Sequence, residues 1–161
     1  MKQLPGLALL LVALAAAVWF LRPQPEPLPG QLRLDFVDGS SRVLRELHGQ
    51  PMLVNFWSTA CQACLEELPR LAQLYRELQP RGVRLITVSA TEDSRQAVQA
   101  TVEQLELPFP VALDRQGDIG RAFGVTETRP VTLFIDREGR IVRRMPGELD
   151  LTRVRATLTT L

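Results

Sequence analysis

Cys61 and Cys64 are the only cysteines in the chain, and Gln62 and Ala63 separate them. Thiols at this spacing can do three things. They can pack as small apolar side chains, supply two of the four ligands of a structural zinc site, or exchange a disulfide for two thiols. For zinc the chain offers one histidine, His48, which stands beside Gly49 and reads as a surface residue. No metal site is therefore expected. The redox alternative has a mechanism if the pair opens a helix. The first turn of a helix presents unpaired N–H groups and the positive end of its dipole, and both favour thiolate over thiol. Cys61 would then be the attacking sulfur. Cys64, one turn on and facing inward, would resolve the mixed disulfide.

The neighbouring pattern supplies such a helix. Met52 to Trp57, MLVNFW, is nearly all apolar and reads as a strand buried on both faces. Ser58 to Ala60 is a short turn. From Cys64 the apolar positions fall at 64, 68, 71, 75 and 78, the steps of one helix face, with Pro69 inside it as an expected kink. Before this unit, Leu32, Leu34 and Phe36 alternate as a strand, Asp38 to Ser41 turns, and Arg42 to Leu44 returns. After it, Val83 to Ser89 is a strand. Asp93 or Ser94 can cap a helix whose face is Ala97, Val98, Thr101, Val102 and Leu105. Phe109 to Leu113 is a short strand and Asp118 to Phe123 a short helix. Val131 to Ile135 and Arg140 to Arg144 flank the turn Asp136 to Gly139, and a last helix runs from about Asp150 to Leu161. Helices alternating with strands, closed by a hairpin and a helix, predict a three-layer α/β sandwich with a mixed sheet.

The N-terminus is of another kind. Leu4 to Leu21 is largely apolar and falls in the roughly 17 to 25 residues that a membrane-spanning helix needs. Residues 1–22 are read as a single-pass signal-anchor, with Trp19 at an interface. The alternative is a signal peptide cut near Ala15 to Ala17, and either delivers the rest across a membrane. Residues 23–30 carry Pro23, Pro25, Pro27 and Pro29 and read as an extended proline-rich linker. Residues 31–161 are the folded domain. Lys and Arg total 19 against 18 Asp and Glu, scattered along the chain, so no nucleic-acid footprint is present.

The segment VNFWSTACQACLEELPRL, with GQPMLVNFW before the pair, FPVALD and GVTETRPVTLFIDREGRIV after it, resembles the thioredoxin-like proteins. It is most similar to the membrane-anchored TlpA/ResA/DsbE (CcmG) branch of periplasmic thiol-disulfide oxidoreductases. The likeness covers about Leu32 to Leu161. It implies a thioredoxin-like fold and a redox-active Cys61–Cys64 disulfide with no further cofactor. It implies that Pro130 is a cis-proline facing the disulfide. Glu67 matches an acidic residue that tunes the thiols or moves a proton, although a Glu near a helix start can simply complement the dipole. Asn55 stands where thioredoxin carries a buried Asp, and an amide cannot act as a base. Trp57 closes the strand that leads into the pair.

The chain also departs from that pattern. Ala60 replaces a usual Trp, Gln62-Ala63 lacks the common Pro and the His of DsbA-like proteins, and Arg129 brings a cation before Pro130. Val131 stands where DsbE proteins have an acidic residue, which weakens a role dedicated to cytochrome c maturation. A peroxidase would have Thr where Ser58 stands. The resemblance implies a disulfide reductase in the periplasm, tethered to the inner membrane through residues 4–21. Its partners would be substrate protein disulfides and a DsbD-type membrane electron donor. An oxidase with the same residues, or a redox-inert or metal-carrying interaction module, is the alternative.

Overall fold

Every residue of Met52–Trp57 is buried, because this strand lies in the middle of a six-stranded sheet with packed layers on both faces. The computed structural model describes residues 9–14, 16–17, 26–126 and 130–158. The strands are β1 (Glu26–Pro27), β2 (Arg33–Asp35), β3 (Ser41–Val43), β4 (Met52–Trp57), β5 (Arg84–Ser89), β6 (Val111–Leu113), β7 (Val131–Ile135) and β8 (Arg140–Pro146). The helices are α1 (Gln62–Leu78), α2 (Arg95–Gln104), α3 (Asp118–Ala122) and α4 (Leu151–Leu158). The main sheet has the order β1-β8-β7-β4-β5-β6. β4, β5 and β6 run parallel, while β7 is antiparallel to β4 and β8 to β7, so the sheet is mixed as the pattern predicts. The hairpin β2–β3 stands apart and touches the sheet at a bridge between Phe36 and Ala112.

Alternation along the strands divides the core. Leu53, Leu85 and Phe134 face a layer that includes Leu68, Leu71 and Leu74 of α1, Val98 of α2 and Val154 of α4. Val54, Phe56, Val88 and Leu133 face Leu34, Leu44, Ile119 and Phe123 on the other side. Burying each such side chain contributes roughly 1.5–3 kcal/mol. Phe56 and Phe123 meet edge to face, with ring centroids 5.7 Å apart. Pro69 lies within α1 without ending it.

Two expectations change. The expected linker of residues 23–30 does not extend to residue 30. Glu26–Pro27 pairs antiparallel with β8, Leu28 is buried, and its N–H donates to Gly139 O at 3.1 Å. An edge strand is where a Pro is tolerated, because its missing N–H then costs the ladder nothing. The folded unit therefore takes in residues from about 26. His48 is the second: it is half-buried, with Nε2 covered, and packed so close to Gly139 that a Cβ there would fall 2.2 Å from that nitrogen. Gly139 also has φ +78°, a region that favours glycine.

The anchor proposed for residues 4–21 lies mostly outside the described residues. Residues 9–14 and 16–17 are helical, with Leu9, Leu10, Leu11, Val12 and Leu14 exposed. Among the described residues no helix is long and apolar enough to cross a membrane.

Candidate active site

β4 ends at Trp57, the chain turns through Ser58, Thr59 and Ala60, and α1 begins at Gln62. Cys61 is the N-cap residue, in extended conformation, and its sulfur accepts from the Cys64 N–H at 3.2 Å. Cys61 and Cys64 are joined as a disulfide with their Cα atoms 5.2 Å apart. Cys61 is half-buried, while Cys64 is 1% exposed and packs with Trp57 and Leu68. One sulfur can be reached from outside and the other cannot. The reachable one occupies the position where unpaired N–H groups and the helix dipole stabilise an anion.

The remaining residues converge on this junction from distant parts of the chain. The β4–β7 register ends at Phe56↔Val131, so Trp57 and Pro130 are the next residue on each strand. Pro130 is buried, and its carbonyl accepts from Gly147 N–H at 2.9 Å. The Arg129–Pro130 bond, and Arg129 itself, lie outside the described residues. Trp57 is fully buried on the α1 side.

Glu67 is one helical turn beyond Cys64 and 4% exposed. Its Oε1 accepts from Asn55 Nδ2 at 3.0 Å and its Oε2 from Leu149 N–H at 2.9 Å. Asn55 also donates to Thr132 Oγ1 at 3.1 Å. Arg70 donates to Leu149 O at 3.3 Å, so the segment before α4 is held to α1 from both sides. Burial pushes the Glu67 carboxyl above its usual range, and the bonds from Leu149 and Asn55 offset that only in part. A carboxyl in this state holds its proton more tightly than an exposed one. Asn55 thus orients the carboxyl rather than titrating.

Sequence reasoning passed over Asp93, which it treated as a helix cap. Its carboxylate instead reaches across to the turn before Cys61, accepting from Thr59 Oγ1 at 2.6 Å and Ser58 Oγ at 3.1 Å. The missed signal was the adjacent Ser94, which alone suffices as a cap and leaves Asp93 free for other work. Among the described residues no group of three or more His, Cys, Asp or Glu is placed to hold a metal ion.

Residues 30–144 match the family model described as AhpC/TSA family. The thiol-disulfide oxidoreductase ResA of Bacillus thuringiensis subsp. konkukian is 34% identical over 112 residues, covering 70% of this chain. This chain spans 64% of that relative's length. The ResA of Geobacillus thermodenitrificans is 31% identical over 149 residues, covering 89% of this chain and 84% of that protein. The solution structure of a Neisseria meningitidis protein assigned as a thioredoxin superimposes with a TM-score of 0.76 at 26% identity, covering 85% of this chain and 90% of that one.

Proposed function

The chain belongs to the AhpC/TSA family, and from that premise we propose that it is a thiol-disulfide oxidoreductase acting through Cys61 and Cys64. The observation that carries this reading is the asymmetry of the pair: Cys61 is a half-buried N-cap sulfur that accepts an N–H of the first turn, and Cys64 lies sealed behind it. In the reduced chain the Cys61 thiolate attacks one sulfur of a substrate disulfide. That S–S bond breaks, the other substrate sulfur leaves as a thiolate and takes a proton, and a mixed disulfide forms. Cys64 then loses its proton and attacks the Cys61 sulfur. The second substrate thiol leaves, and the Cys61–Cys64 bond closes. Two electrons and two protons pass to the substrate. Glu67, one turn from Cys64, accepts the Cys64 proton in its ionised form, and the burial that raises its carboxyl makes that carboxylate a stronger base than an exposed one. Pro130, next to Trp57 at the edge of the site, is the docking point for extended substrate backbone.

The direction favoured is reduction. A tethered domain of this kind in an oxidising compartment serves best to remove selected disulfides, with electrons from a DsbD-type membrane donor. The apolar residues of 4–21, of which Leu9, Leu10, Leu11, Val12 and Leu14 are exposed, support an inner-membrane tether with the domain in the periplasm. The reduction potential of the pair tests this. A value near that of thioredoxin, about −270 mV, supports the reductase, and one near that of DsbA, about −120 mV, reverses the direction. A pair that does not exchange with glutathione sinks the enzyme reading and leaves an inert module.

A further inference from the structure

Asp93 stands just before the N-cap of α2 and does not cap it; Ser94 does, its Oγ accepting from Ala97 N–H at 3.1 Å. The Asp93 carboxylate faces the Ser58–Thr59 turn. Its Oδ1 accepts from Thr59 Oγ1 at 2.6 Å and Ser58 Oγ at 3.1 Å, and both oxygens lie 3.1 Å from Thr59 N. Its Oδ2 also accepts from Ala90 N–H at 3.1 Å, which ties the carboxylate to the end of β5. The turn passes this anchoring on. Ser58 Oγ accepts from Ala60 N–H at 3.2 Å, and Ser58 O accepts from Cys61 N–H at 3.1 Å. An unbroken run of hydrogen bonds therefore leads from the β5–α2 loop to the backbone of the half-buried cysteine, Cys61.

We infer that Asp93 is a positioning residue for disulfide exchange: by fastening the Ser58–Thr59 turn it holds Cys61 at the N-cap of α1. This rests on the exchange chemistry proposed above, in which Asp93 itself makes and breaks no covalent bond. The anchor matters more in one redox state than in the other. In the oxidised chain the disulfide keeps Cys61 beside Cys64 whatever the turn does. In the reduced chain only the turn keeps the Cys61 sulfur over the first-turn N–H groups that stabilise its thiolate. Loss of the anchor therefore destabilises the reduced form selectively.

The test uses the full chain in detergent, equilibrated with glutathione, together with a titration of the Cys61 thiolate by its ultraviolet absorbance. Asp93→Ala is expected to shift the equilibrium toward the disulfide about tenfold, roughly 30 mV for a two-electron couple. It is also expected to raise the pH at which Cys61 ionises. Asp93→Asn can keep its oxygen for the N–H groups and turn its amide to the hydroxyls, so it should restore most of the wild-type equilibrium. Thr59→Val removes the shortest of these bonds and should move the equilibrium the same way by a smaller step; it carries the test if Asp93→Ala does not fold. Wild-type values for Asp93→Ala or Thr59→Val overturn the inference. Equal shifts in Asp93→Ala and Asp93→Asn also overturn it, by placing the effect in the charge rather than the anchoring. If wild-type chain fails to exchange at all, the underlying enzyme reading falls as well; if it exchanges normally and the variants do not move, only the role of Asp93 falls.

Discussion

Glu67 and Asp136 are both buried carboxylates near β7, one beside its first residues and one just past its last, and the protein treats them in opposite ways. Glu67 meets an amide and a backbone N–H, both neutral, and burial wins: its carboxyl is held above the usual range. Asp136 is 7% exposed, and burial pushes it up as well. There the Arg140 guanidinium, with the N–H groups of Arg140 and Glu138, outweighs burial and brings the carboxyl below the usual range. The first arrangement raises the basicity of a carboxylate one helical turn from Cys64. The second locks a charge into the β7–β8 turn and stabilises the hairpin on which Pro130 depends. Burial outweighs neutral donors at Glu67 and is outweighed by a charged donor at Asp136, and that balance sets the two carboxyls apart.

The largest effect that would sharpen this contrast is at the sulfurs. Cys61→Ser should abolish exchange with glutathione, and Cys64→Ser should accumulate a mixed disulfide visible by mass. Asp136→Ala should leave the exchange equilibrium at its wild-type value. A change in that equilibrium as large as the loss of stability would break the contrast, by making the far turn part of the site.

Next comes stability. Asp136→Ala removes an acceptor of several bonds, including charge-assisted ones, and should lower the unfolding free energy in urea by about 2–3 kcal/mol at neutral pH. Because the folded state depresses this carboxyl, its contribution is full above its ordinary value of 3.8 and is lost as pH falls through the lower folded value. The difference between wild type and Asp136→Asn should shrink accordingly in acid.

Glu67 should show the opposite slope, and a smaller one. Its folded carboxyl is raised, so its contribution is full below its ordinary value of 4.5 and is lost as pH rises through the folded value. Wild type should therefore lose stability relative to Glu67→Gln as pH rises through this window. Urea midpoints for the two variants across pH 3 to 8 would show it, and parallel slopes would erase the distinction. In kinetics, Glu67→Gln should slow release of substrate from the mixed disulfide by about a hundredfold or more, the scale of positioned acid–base help, while leaving attack by Cys61 nearly unchanged.

Much of this was legible in the chain. The steps of three and four from Cys64, the apolar run Met52 to Trp57 and the turn Asp136 to Gly139 placed β4, α1 and the β7–β8 hairpin, and α1 begins one residue after Cys61. Those features are local: periodicity, capping and turn chemistry act over a few neighbours, and residue types alone express them. Tertiary structure decided where the polar side chains went. Asn55 meets Glu67 across 12 residues and Thr132 across 77; Glu67 meets Leu149 across 82; Asp93 meets Thr59 across 34. The pairing of Glu26–Pro27 with β8 and the packing of His48 against Gly139 are of the same kind. Each depends on which strands lie side by side and in what register, and that register is fixed by packing both faces of the sheet at once, not by any short stretch of sequence.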